Sequence, residues 1–128
     1  MSEKIVSVSR IPIVVTVNND IELNGELTRH LSPLTIKKII NNLPLNQLIN
    51  NYHNKFIYVK SGINGGLEKP QNKFKKGDIA YLPISDCIYI FLTDHIHNNQ
   101  FNRIGSITGS LNELTNTKAG DILNIQRA

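Results

Sequence analysis

Tryptophan is missing from this chain of 128 residues, cysteine occurs once, and alanine is scarce. A single thiol, Cys87, can form neither an intramolecular bridge nor a multi-cysteine zinc centre, so the fold must rest on its own core. Cys87 lies in the apolar run "SDCIYIF", where a buried, inert thiol is expected. No window holds the roughly 18 to 20 apolar residues of a membrane helix. The opening "MSEKIVSVSR" lacks the apolar region and small-residue cleavage site of a signal peptide, so a cytoplasmic protein with no membrane partner is expected. Charge of one sign is also modest, at a formal +4. Its densest cluster, Lys69, Lys73, Lys75 and Lys76, lacks the arginines and interleaved aromatics of a nucleic-acid stripe. Nucleic acid is therefore not an expected partner, and self-association is left open.

What the chain does contain is a globular mixture, 40% hydrophobic and 19% charged, rich in isoleucine and asparagine. Its length fits one domain over residues 1–128, with 1–9 as a loosely ordered extension or an extra strand. Abundant β-branched residues favour strands. "IPIVVTV" (11–17), the turn residues "NND" and the alternating "IELNGEL" (21–27) form a hairpin with one wet face. "LSPLTIKKIINNLP" is the one strongly periodic helical segment, about three turns long. Ser32 is placed as N-cap, Pro33 in the first turn, and Ile36, Ile39, Ile40 and Leu43 on one face.

"KFIYVKS" alternates as a strand, and "DIAYLP" and "CIYIFLT" flank a Ser85-Asp86 turn. Between these regions, the polar, glycine-rich residues 62–73 read as a flexible connection. "FNRIGSITGS" and "DILNIQ" supply further strands, and "SLNELTNT" a short helical turn with Ser110 and Glu113 in capping-box spacing. Seven or eight strands with short links predict a largely antiparallel sheet, closed as a barrel that leaves few edges.

Two local patterns repeat. "KKGD" (75–78) and "KAGD" (118–121) each place Gly-Asp before an alternating strand, which reads as turn punctuation with Asp78 and Asp121 accepting backbone N–H bonds. "DHIH" sets His95 and His97 on one side of an extended segment. A zinc site would need a third ligand that no spacing supplies, so no metal and no cofactor is expected. Asp94 and His95 offer an acid–base pair only if the fold brings them together. The aromatics Tyr58, Tyr81, Tyr89 and Phe91 sit on the expected central strands, where they fill the core or line a pocket at the barrel face. Arg103 opens a strand in an apolar neighbourhood.

The order of "LSPLTIKKIINNLP", "KFIYVKS", "KKGDIAYLPISDCIYIFLTDH", "NRIGSITGSLNEL" and "KAGDILNI" resembles the small archaeal and bacterial cyclophilin-like family. The resemblance implies an eight-stranded barrel with helices near its openings. It departs from the true peptidyl-prolyl isomerases. Their strand with phenylalanine, histidine and arginine is matched by "KFIYVKS", their Gln-Gly-Gly-Asp run by "GINGGLEKPQ", and no tryptophan is available for the proline pocket. No catalytic residue carries over. The expected function is a non-catalytic module for a small molecule or extended peptide, with Tyr58, Tyr81, Phe91, Asp94, His95 and Arg103 as candidate lining residues. The alternatives are a weak prolyl isomerase or another enzyme using Asp94 and His95, and an acidic partner held by residues 69–76.

Overall fold

A computed structural model describes residues 9–128; the expected N-terminal extension or extra strand lies outside them, save for Ser9. The chain runs through β1 (Arg10–Val17), β2 (Ile21–Thr28), a 3-10 turn (Arg29–Leu31) and α1 (Pro33–Asn41). Then come β3 (Leu45–Leu48), β4 (Asn50–Tyr52), β5 (Phe56–Lys60), β6 (Pro70–Phe74), β7 (Asp78–Leu82) and β8 (Cys87–Phe91). It ends with β9 (His95–Ile107), a 3-10 turn (Asn112–Leu114) and β10 (Ile122–Arg127). The hairpin of β1 and β2 forms as its alternation predicts, with Asn18 and Asn19 in the left-handed region of its turn.

Among the described residues all strand pairs are antiparallel, in the order β3-β10-β1-β2-β9-β7-β8-β5-β4, with β6 paired to the N-terminal part of β9, residues 95–102. The architecture is mainly β, as expected. Among the described residues ten strands replace the anticipated eight or so, and hydrogen bonds do not close the sheet into a barrel. Its two terminal strands, β3 and β4, are instead consecutive in the chain, separated only by Ile49. That residue bonds through its N–H to the Asp121 carbonyl at 2.7 Å.

Strand parity sorts the side chains into two cores. Inward lie Ile57 and Val59 of β5, Ile79 and Tyr81 of β7, Ile88 and Ile90 of β8 and Ile104 of β9, packed with β1, β2, β10 and the Ile36–Ile39 face of α1. Outward, Phe56, Ala80, Leu82, Cys87, Tyr89 and Phe91 join Phe74 and Phe101 in a second, aromatic cluster. The strands β7 and β8 are thus buried on both faces, which is why they read as near-continuous hydrophobe. Cys87 is buried as expected.

The helix spans nine residues, two and a half turns rather than three, and its expected cap is replaced. The Ser32 hydroxyl makes no cap bond; it donates to the Leu31 and Arg103 carbonyls. Glu68 caps the helix instead, accepting from the Leu34 N–H at 2.9 Å and from the Thr35 N–H at 2.7 Å. Both Gly-Asp turns form as expected and are near copies. Asp78 Oδ2 accepts from the Lys75 N–H at 2.9 Å, and Asp121 Oδ2 from the Lys118 N–H at 2.8 Å. The glycines before them take φ of +94° and +99°, which a side chain would strain.

Candidate functional site

The flexible connection expected at residues 62–73 is an ordered structure. Residues 70–74 form β6, and the preceding glycine-rich loop is pinned by buried polar groups. Asn102, fully buried, donates to Thr35 Oγ1 at 2.9 Å and to the Gly66 carbonyl at 2.7 Å, and accepts from the Glu68 N–H at 2.8 Å. Tyr81 donates to Asp86 Oδ1 at 2.6 Å and accepts from the Gly65 N–H at 2.8 Å. Asp86 also takes the Asn64 N–H and the Ser61 hydroxyl.

Burial, with the Asp86 hydrogen bond, pushes the Tyr81 phenol up to about 12, so it stays a neutral donor. Burial pushes the Asp86 and Glu68 carboxyls up, but the hydrogen bonds they accept outweigh it and leave both below their ordinary range. Tyr81 is therefore a positioning group inside the main core, not a residue lining an open pocket.

The other candidates part company in the same way. Arg103 lies with its Nε 3.2 Å from Asp78 Oδ1, an ion pair without hydrogen-bond alignment. The Asp94 carboxylate accepts the Lys76 N–H at 2.9 Å, bracing the turn that starts β7. It forms no hydrogen bond or ion pair with His95, so the acid–base pair is not assembled. Among the described residues no three His, Cys, Asp or Glu side chains gather to hold a metal.

Tyr58, Phe91 and His95 do come together, on the outward aromatic face. His95 packs against Phe56 and Phe91 with ring centroids 5.1 and 5.8 Å away, and Tyr58 stacks on Tyr89 at 4.9 Å. Sequence reasoning left out His97, Phe56 and Tyr52. His97 meets Phe101 edge-on at 4.9 Å, and Tyr52 stacks on Phe56 at 5.0 Å. The two-residue spacing of "DHIH" opposite the alternating aromatics of β5 and β8 is the signal that finds them.

An open cleft of about 310 Å³ is cut into this face, lined by Tyr52, Phe56, His95, Ile96, His97 and Asn98. A second, of about 500 Å³, shares His95 and Ile96 and extends past Phe74 to Lys73 and Asp94. Tyr52 and Ile96 remain 48% and 66% exposed, so the face presents unpartnered apolar area. Burial lowers the pKa of both imidazoles, with Lys55 adding to it at His95 and His95 itself adding to it at His97. Both are neutral at pH 7 and act as ring surfaces with one donor and one acceptor each. The His97 Nδ1 accepts the Asn99 N–H at 3.0 Å, which leaves its Nε2 as the N–H.

The arrangement defines a β-sheet protein whose one aromatic face carries a shallow cleft. Comparison with known proteins identifies its class: residues 10–126 match the family described as Cyclophilin-like, and the chain belongs to that family. The solution structure of the hypothetical protein AF2241 from Archaeoglobus fulgidus is similar, with a TM-score of 0.75 and 21% identity over 94% of this chain and 96% of that one. The structure of McbB in complex with tryptophan has a TM-score of 0.76 at 14% identity; the match covers 90% of this chain and 44% of McbB. At these identities the likeness is one of fold. No curated protein sequence matches. Among the described residues no helix is long and apolar enough to cross a membrane.

Proposed function

We propose that this chain is a binding module for a small planar ligand, or for the aromatic side chain of an extended peptide, held on the outward face against Tyr52, Phe56, His95 and His97. The observation that carries the reading is the cleft itself. It combines the stacked Tyr52–Phe56 pair, two neutral imidazoles and the Asn98 amide in about 310 Å³. Planar rings gain from stacking on such a pair, while the amide and imidazoles orient a polar edge. A catalytic version built on Asp94 and His95 has less support, because the Asp94 carboxylate is occupied by the Lys76 N–H.

Since a related fold was solved with tryptophan, indole and L-tryptophan are the first probes. Titration followed through amide shifts should move residues 52, 56 and 95–98 in a saturable way, and Tyr52→Ala should weaken binding about tenfold. Absence of shifts there at millimolar probe, across a panel of aromatic small molecules and aromatic peptides, would refute the proposal.

A further inference from the structure

A second cleft, of about 370 Å³, lies between α1 and the pinned glycine-rich loop, away from the aromatic face. One wall carries Lys37, Lys38 and Asn41, and the mouth is flanked by Leu34 and Leu67. Both leucines are unpartnered, at 68% and 51% exposure. Neither lysine has a hydrogen-bond or ion-pair partner among the described residues. Glu68 is the one carboxylate in the lining, and its oxygens are spent on the Leu34 and Thr35 N–H groups and the Thr35 hydroxyl. With two lysines against one carboxylate, the cleft therefore offers apolar edges and a net positive charge.

Its floor is built rather than loose. Gly65 and Gly66 are held by Tyr81 and Asn102, so the wall opposite the helix is fixed before any ligand arrives. A Cβ on Gly66 would meet nothing within 4 Å, and the φ of Gly66 is outside the left-handed region. The absence of a side chain there keeps space open without being required by the backbone.

We infer that this cleft is a binding site for a small amphipathic anion, a carboxylate with a short aliphatic tail, the head meeting Lys37 and Lys38 and the tail lying between Leu34 and Leu67 over Gly66. Two exposed cations and a few hundred Å³ of partly apolar cleft suit a molecule of that size.

Octanoate is the probe, with binding read by calorimetry and by amide shifts at residues 34–38 and 65–67. Saturable binding with shifts confined to those residues is expected. Gly66→Leu should abolish it while leaving the melting temperature within about 2 °C of the parent, since the side chain enters open space. Lys37→Gln with Lys38→Gln should weaken it about tenfold. Leu34→Ser with Leu67→Ser, two exposed sites, should weaken it without harming the fold, and Asn46→Ala, at the surface outside both clefts, should leave octanoate binding unchanged. The inference is overturned if octanoate fails to bind, if Gly66→Leu binds as the parent does, or if octan-1-ol binds equally well. Binding to phosphatidylglycerol vesicles without affinity for octanoate would assign the surface to a membrane and overturn it as well.

Discussion

Removing the Asn102 side chain is the sharpest test of how the loop at residues 62–69 is held. Asn102→Ala deletes three hydrogen bonds, to Thr35, Gly66 and Glu68. A fully buried orphan costs about 1–3 kcal/mol. Two of the three partners stay in partly exposed surroundings, where water can enter, so the low end of that range applies to the Gly66 carbonyl and the Glu68 N–H. The Thr35 hydroxyl keeps its bond to Glu68.

About 1 kcal/mol for each lost bond gives about 3 kcal/mol in all, or roughly 10 °C in melting temperature for a domain of this length. Urea unfolding followed by far-ultraviolet circular dichroism measures the first quantity. Amide exchange should show protection lost at residues 65–68 well before β10. Asn46→Ala, whose side chain pairs with Asn124 at the surface, is the control and should stay within about 0.5 kcal/mol of the parent. A loss below about 1 kcal/mol for Asn102→Ala, or unchanged exchange in the loop, would refute the account.

Gly105→Ala should abolish folding or cost more than about 3 kcal/mol, because a Cβ would collide with the Glu26 carbonyl oxygen, and thermal unfolding checks it. Asp78→Ala should lower stability by about 2 kcal/mol and Asp121→Ala by less. Only the Asp78 carboxylate is buried and paired with a guanidinium, and a reversed order in urea titrations would contradict this. Acid should weaken the fold through His95 and His97. Their folded pKa values lie below the ordinary 6.5, so the unfolded chain binds more protons as pH drops past that value and stability falls with it. Unfolding titrations between pH 7.5 and about 5 should show this slope, and His97→Phe should reduce it.

Much of the frame was legible because its signals are local. The β1–β2 hairpin, β5 and the β7–β8 hairpin announce themselves by alternation or continuous hydrophobe between turn residues, and both Gly-Asp turns close within four residues. The strands β3, β4 and β6 did not. "LNQL", "NNY" and "PQNKF" are polar and half exposed; β3 and β6 owe their strand character to β10 and β9, distant in sequence, while β4 is three polar residues paired across a tight turn with β5, too short to show alternation.

The helix cap was misread for the same reason. Ser32 is the local choice, whereas Glu68 reaches the N-terminus from 34 positions away. The glycine-rich loop looked mobile because the groups that order it, Tyr81, Asp86 and Asn102, lie in later segments. Of the residues on the outward face, Tyr58 and Phe91 stood out as aromatics on expected strands, and His95 only as the neighbour of Asp94. His97 was seen but not joined to them, since nothing local shows that β9 begins as early as His95 and runs for 13 residues.

The stretch at residues 45–52 has one consequence for how the molecule tolerates change. Its first half is in register with β10 and its second half with β5, with Ile49 between them, 1% exposed. The two ladders therefore share one strand phase. A single residue inserted beside Ile49 turns one half over, exchanging inward and outward faces in whichever ladder gives way, whereas two inserted residues restore the parity of both. Length changes at this point are thus expected to be tolerated in even steps only, and the short segment acts as a phase lock between the opposite margins of the sheet.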